Sequence, residues 1–160
     1  TYNIHIGITS KTNNENEFIY DPIFQERYVL ITPIDHPFKH LSQVEISELK
    51  DEMFIHSLEG FDVRNIFIRE CQEVGFTPKY EYEAESLETI HSLVEIGLGL
   101  SVVPESFLER HPSHKVKIVY LNEDFPKRTV YFIYHAHRYM LPAIKEFINI
   151  AKDYSKFDEG

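Results

Sequence analysis

The stretch from Glu85 to Pro104, ESLETIHSLVEIGLGLSVVP, constrains the fold more than any other part of this 160-residue chain. Ser86 is a favourable N-cap, because its hydroxyl can accept a hydrogen bond from an amide left unpaired at a helix start. An apolar stripe with helical spacing follows, and Gly97 and Gly99 then allow the backbone to turn. The apolar run LSVV, closed by proline, predicts a buried strand. Helix, glycine turn and buried strand together are typical of an α/β domain.

The rest of the chain alternates between strand patterns and helix patterns. Strands are predicted at residues 2–8, 28–32, 53–56, 80–84, 116–121 and 129–134, and helices begin near Ser42 (in a capping box with Glu45), Asp62 and Pro142. This order predicts an α/β protein with mainly parallel sheets. Ligands of such sheets bind at the carboxyl ends of strands, so the loops at residues 9–10, 57–64 and 84–86 are the expected site.

The composition limits the classes of partner. A formal net charge of −10 and a pI near 5.3 argue against this segment gripping nucleic acid or an anionic membrane by itself. No apolar run approaches membrane-spanning length. The single cysteine, Cys71, permits no internal disulfide, which fits a reducing compartment, and we expect it to be a small buried hydrophobe. Because the chain opens at Thr1 and not at methionine, we expect it to be a fragment.

No catalytic or metal-binding signature is complete. His135 and His137 have the i, i+2 spacing of a metal pair, but no Cys, Asp or Glu beside them completes a tetrahedral set, so surface histidines are the favoured interpretation. No serine lies in a G-x-S-x-G elbow. The glycines of Gly97-Leu98-Gly99 follow a helix and lack the third glycine of a dinucleotide fingerprint. We therefore predict no enzyme, no metal and no cofactor.

A small-anion site remains as the chemical interpretation of the residues. Ser86 at a helix start and the amides that follow Asp62 offer partial positive charge, and Arg64 adds a full charge. For Ser86 the alternative is a plain helix cap, and the two interpretations stay open on sequence grounds.

Several segments in a fixed order resemble a known family. A first strand ending near Ile8 is followed by IFQERYVLITPIDHPF, in which the pattern of Glu26 to Leu30 precedes the pair His36-Pro37. The later segment LETIHSLVEIGLGLSVVP carries a helix that runs into G-x-G and a strand closed by proline. Over nearly the whole chain this order resembles the effector-binding domain of LysR-type transcriptional regulators.

The resemblance implies a two-lobed fold of the type II periplasmic-binding-protein kind, with two strands crossing between the lobes. The first lobe would take residues 1–25 and 128–160, and the second would take residues 26–127. A small inducer, such as a carboxylate, is expected in the cleft between the lobes. The ligand-binding positions carried over from the family are Thr9, Ser10, Ser57, Phe61, Arg64, Ser86 and Gly99.

The chain also departs from the family pattern. The winged helix–turn–helix that binds DNA is absent, so DNA would be bound only through a domain outside this chain. The family has further strands and helices before the segment matching Tyr2 to Ile8, so we expect the first lobe to be incomplete. The resemblance also implies a cytoplasmic homo-oligomer, a dimer, without a membrane partner. The alternatives are a solute-binding protein of a transport system and an enzyme on the same fold, which the residues upstream of Thr1 or a catalytic set would distinguish.

Overall fold

The computed structural model describes residues 5–8, 18–58, 62–135, 146, 149–151 and 153. The chain divides into two compact units. The first unit comprises Thr1–Glu26 with Lys127–Gly160, and the second comprises Arg27–Pro126. The predicted C-terminal helix from Pro142 falls mainly outside the described residues.

The described elements include the predicted strands and the helices from Asp62 and Ser86, and they add β2, β4 and a short helix at Pro37–His40 that the sequence analysis did not predict. The strands are β1 (His5–Ile8), β2 (Phe18–Glu26), β3 (Tyr28–Pro33), β4 (Gln43–Val44), β5 (Met53–Ser57), β6 (Lys79–Ala84), β7 (Ser101–Pro104), β8 (Val116–Leu121) and β9 (Arg128–His135). The helices are α1 (Asp62–Glu73), α2 (Leu87–Glu95) and α3 (Glu105–Arg110), with two short 3-10 helices at Pro37–His40 and Ile46–Leu49.

The sheet of the second unit is mixed, and most of its strands run in one direction. Strand β5 pairs in parallel with β6. Ile55 N–H donates to the Leu100 carbonyl (2.8 Å) and Leu100 N–H donates to the Met53 carbonyl (2.9 Å), which joins β5 to the residue before β7 in a parallel bridge. Strand β3 is antiparallel to both β7 and β8, and β4 is parallel to β8. Among the described strands of this unit, β3 alone runs against the others.

The first unit differs from the expectation of mainly parallel sheets. Its described strands have the order β1-β9-β2, and both pairings are antiparallel. Helical crossovers force neighbouring strands to be parallel, and the units β5-α1-β6 and β6-α2-β7 contain such crossovers. Strand β2 leads into the second unit and β9 leads out of it, so these neighbours run in opposite directions. The α/β class is confirmed, and the sheets are mixed.

Local signals position the helices that border the site. Helix α2 begins after Ser86, whose hydroxyl accepts a hydrogen bond from Thr89 N–H (3.2 Å). Helix α1 is followed by Gly75 (φ 99°) and α2 by Gly97 (φ 87°), left-handed conformations in which glycine carries no steric penalty. No described helix has the length and apolarity required to cross a bilayer.

The predicted capping box of Ser42 and Glu45 is wrong by three residues. Glu45 is the N-cap of the Ile46–Leu49 helix, and its N–H donates to Glu48 Oε2 (2.8 Å). The Ser42 carbonyl accepts from Tyr120 N–H (2.9 Å), and β4 follows it beside β8. This strand pairing delays the start of the helix.

The core of the second unit lies on both faces of the sheet. Phe54, with Phe67 of α1, belongs to the buried cluster on one face. Ile55, with Ile90 and Val94 of α2, belongs to the cluster on the other. Because side chains alternate along a strand, His56 lies on the α1 face and Ser57 on the α2 face.

Candidate functional site

The carboxyl ends of β5 and β6 lie side by side in the second unit. Ser57 ends β5, Ala84 ends β6, and the two residues are paired in the parallel register. Helix α1 begins after β5 and helix α2 begins after β6, so the amino ends of both helices lie at this edge. Unpaired amides at a helix start carry partial positive charge. The edge therefore combines strand ends and helix starts, as ligand sites of α/β proteins do.

Ser57 is a buried hydroxyl with no hydrogen-bond partner among the described residues. The residue is 8% exposed, and its Oγ neither donates nor accepts a hydrogen bond within the described structure. Its backbone carbonyl, in contrast, accepts from Arg64 Nη1 at 3.1 Å. Leaving a buried hydroxyl unpaired costs about 1–3 kcal/mol. Ser57 therefore has an unused donor and acceptor at the edge where the sequence predicted a ligand.

Ser86 is engaged as a helix cap. Its Oγ accepts from Thr89 N–H and lies 3.0 Å from Thr89 Oγ1. The residue is half-buried. The cap interpretation of Ser86 is therefore present in the structure, and it leaves further hydrogen-bonding capacity on a hydroxyl that has two lone pairs and one proton.

Arg64 is held by protein groups. Its side chain is 10% exposed, and its Nη1 lies 3.0 Å from Glu83 Oε1. Its Nη2 donates to the Tyr80 hydroxyl at 3.3 Å, and its Cζ lies 5.3 Å from the centroid of the Tyr80 ring. With the bond to the Ser57 carbonyl, these contacts place Arg64 beside β5 and β6.

Gly99 has a packing reason for lacking a side chain. A Cβ built at this position would lie 2.8 Å from the Met53 carbonyl oxygen and 3.3 Å from an Ile55 side-chain carbon. Because Leu100 bonds to the same Met53 carbonyl, the backbone at Gly99 must run close to β5.

The remaining predicted positions lie outside the described residues. These are Thr9, Ser10 and Phe61, together with His137; for His135 only the backbone is described. Within the described part of the chain, no group of three or more His, Cys, Asp or Glu side chains is placed to hold a metal ion. Cys71 is buried, as expected, and burial raises the pKa of its thiol to about 12.

Sequence reasoning missed His56, Tyr80 and Glu83. His56 is 4% exposed and its ring lies against Phe54 (6.4 Å between centroids) and Tyr80 (4.6 Å). Its Nε2 has no partner in the part of the chain that the structure describes, and burial, followed by the positive charge of Arg64, lowers its pKa to about 4. A histidine inside the apolar strand MFIHS was the available signal. No local pattern indicated Tyr80 or Glu83, because their partner Arg64 lies on another element.

Comparisons with known proteins agree with this architecture. The family model described as the LysR substrate binding domain matches residues 1–156. The transcriptional dual regulator GltC of Bacillus subtilis strain 168 is 33% identical over 141 residues, which cover 86% of this chain and 46% of GltC. A hydrogen peroxide-inducible genes activator of Haemophilus influenzae is 25% identical over 135 residues, covering 84% of this chain and 45% of that protein. The chain thus spans about half the length of the curated relatives it matches.

Solved structures show the same fold. The regulatory domain of CcmR from Synechocystis PCC6803, in complex with 2-PG, superposes with a TM-score of 0.81 at 23% identity, covering 96% of this chain and 73% of that one. The effector binding domain of QuiR, in complex with shikimate, gives a TM-score of 0.76 at 23% identity, covering 94% and 71%. Since the family model accounts for almost the entire sequence, the chain belongs to the LysR substrate binding domain family.

Proposed function

We propose that this chain is the effector-binding part of a LysR-type transcriptional regulator and that it binds a small carboxylate. The effector would contact the carboxyl edge of the second unit, at the ends of β5 and β6. Two observations support the class of function: the family match and the naming of its relatives as transcriptional regulators. Two structural relatives were solved with small molecules, shikimate and 2-PG.

The unpaired hydroxyl of Ser57 is the observation that carries the proposed site. A buried hydroxyl without a partner is uncommon in folded proteins. A carboxylate that accepts its proton would remove the cost of leaving it unpaired. The backbone amides at the amino ends of α1 and α2 would add uncharged hydrogen-bond donors on the same edge, and such donors favour an anion.

The other predicted positions are proposed in two groups. Thr9, Ser10 and Phe61 would contribute contacts to the effector. Gly99 would act indirectly, because its missing side chain allows the close approach of the chain to β5.

The wider biology is proposed from the family. DNA would be bound by a helix–turn–helix domain elsewhere in the full protein, which would be a cytoplasmic homo-oligomer. The relatives are named as regulators and not as enzymes. The same naming favours the regulator over a solute-binding protein of a transport system.

Isothermal titration calorimetry tests the site. The compounds titrated are 2-PG and carboxylic acids of three to ten carbons, including shikimate. We expect at least one to bind, and Ser57→Ala to weaken that binding about 5- to 10-fold, the value of one hydrogen bond. Ser113→Ala is the matched control, because Ser113 precedes β8 and so lies at the opposite edge of the sheet. A wild-type chain that binds none of these compounds contradicts the proposed function. Equal affinities for wild type and Ser57→Ala contradict the site.

A further inference from the structure

We infer that Arg64, Tyr80 and Glu83 form a positioning brace that fixes the backbone beside Ser57, and that Arg64 does not supply its charge to the effector. We call this group the Arg64 brace. The inference rests on the proposed function and deepens it, because it assigns recognition of the carboxylate to uncharged donors.

The hydrogen bonds of Arg64 are the first reason. Its Nη1 carries two hydrogens, and both are used, one by Glu83 Oε1 (3.0 Å) and one by the Ser57 carbonyl (3.1 Å). Its Nη2 donates to the Tyr80 hydroxyl at 3.3 Å. The guanidinium also lies over the Tyr80 ring, a favourable cation–π position. Three of the five guanidinium hydrogens are therefore directed at protein groups.

The charge balance is the second reason. The Arg64 side chain is 10% exposed and the Glu83 side chain is 38% exposed, so the carboxylate is the more accessible partner of the pair. An effector carboxylate that approached Arg64 would have to compete with Glu83 for the same Nη1. Drawing Glu83 away would leave the buried Arg64 with an uncompensated charge, which is costly. The pair therefore stays intact and presents little net positive charge to a ligand.

The position of the brace is the third reason. Ser57 is the last residue of β5, Arg64 lies in the first turn of α1, and Tyr80 and Glu83 lie on β6. One side chain thus ties two strand ends to the start of a helix. Because the bond to the Ser57 carbonyl holds the peptide that follows Ser57, it fixes the backbone from which the Ser57 side chain projects. The brace acts on the effector through Ser57.

The two possible roles of Arg64 predict opposite effects for Glu83→Gln. In a brace, loss of the ion pair loosens Arg64, and the affinity falls about 3- to 10-fold. If Arg64 contacts the effector directly, loss of its competitor frees the charge, and the affinity for a carboxylate rises. Glu83→Gln keeps the size of the side chain and changes a partly exposed position, so we expect the variant to fold.

The experiment is calorimetry with carboxylic acids of three to ten carbons, each compared with its primary amide. We expect Arg64→Gln and Arg64→Lys to weaken the acid and the amide by the same factor, leaving the acid-to-amide ratio within about twofold of wild type. Lysine keeps the charge but lacks the fork, so it cannot rebuild the brace. We expect the double variant Arg64→Gln with Glu83→Gln to bind the acid no more weakly than Arg64→Gln alone, because both substitutions disrupt the same group of interacting side chains.

Each outcome separates this inference from the proposed function. A wild-type chain that binds no acid contradicts both. If wild type binds an acid, four results contradict the Arg64 brace alone. Two concern affinity for the acid: a higher affinity in Glu83→Gln, or an unchanged affinity in Arg64→Lys. The others are a tenfold fall in the acid-to-amide affinity ratio of Arg64→Gln, and unchanged affinity in every variant. Far-UV circular dichroism and urea midpoints of every variant establish that the chains compared are folded.

Discussion

The buried imidazole of His56 should make the stability of the chain depend on pH. In the folded state its pKa is about 4, because burial, and then the positive charge of Arg64, disfavour the protonated form. In the unfolded state the pKa of histidine is about 6.5. Between these two values the unfolded chain binds a proton that the folded chain does not. Stability therefore falls as the pH is lowered through this range and is fully retained above the unfolded value.

The size of the effect follows from the two pKa values. Their difference of about 2.5 units corresponds to about 3 kcal/mol once the pH is below 4. Integrating the linkage relation between pH 7 and pH 5 gives a loss of about 2 kcal/mol from this one group. A loss of this size is a large fraction of the stability of an ordinary domain.

Urea unfolding of wild type and His56→Phe at pH 7 and pH 5 isolates this contribution. Phenylalanine keeps an aromatic ring against Phe54 and Tyr80 and cannot be protonated. We expect wild type to lose about 2 kcal/mol more than the variant between the two pH values. Following the imidazole C–H signals by NMR gives the pKa of His56 directly. An equal pH dependence in both proteins, or a His56 pKa near 6.5, refutes the reasoning.

Three further predictions concern stability. Gly99→Ala should cost about 1–3 kcal/mol in urea unfolding, because the new Cβ would lie 2.8 Å from the Met53 carbonyl oxygen; an unchanged midpoint contradicts this packing role. Ser86→Ala should cost about 1 kcal/mol by loss of the cap, and Ser86→Asp should restore most of it; a Ser86→Asp variant as unstable as the alanine variant argues against capping. Arg27 and Glu105 form a bidentate pair that is half exposed, so a double-mutant cycle should give a coupling below about 1 kcal/mol that shrinks in 1 M salt; a larger, salt-independent coupling contradicts this.

The prediction of elements succeeded where the signal was local. Ser86 caps α2 through an amide three residues away, and Gly75 and Gly97 end helices through their own φ angles. These interactions lie within a few residues and can therefore be inferred from sequence. The predicted capping box at Ser42 was wrong because a partner from β8 engages its carbonyl.

The two glycines of the G-x-G segment show why the same residue type needs two explanations. Gly97 has a positive φ and open space around its Cβ position, so it is required by the turn. Gly99 has an ordinary φ and a carbonyl 2.8 Å from its Cβ position, so it is required by packing against β5. In the sequence both look like flexible turn residues, because Met53 of β5, which Gly99 approaches, lies 46 residues earlier in the chain.

Sequence alone determined the α/β class, the cap of α2, the glycines that end α1 and α2, and the family, because periodicity, capping and motif order are properties of neighbouring residues. Tertiary structure decided which polar groups are free and which are occupied. Arg64 bonds to Tyr80 and Glu83, 16 and 19 residues away, whereas the hydroxyl of Ser57 has no partner within residues 18–58 and 62–135. Burial and pairing arise from contacts between distant segments, so the chemistry of the site becomes visible only when β5, β6 and α1 are brought together.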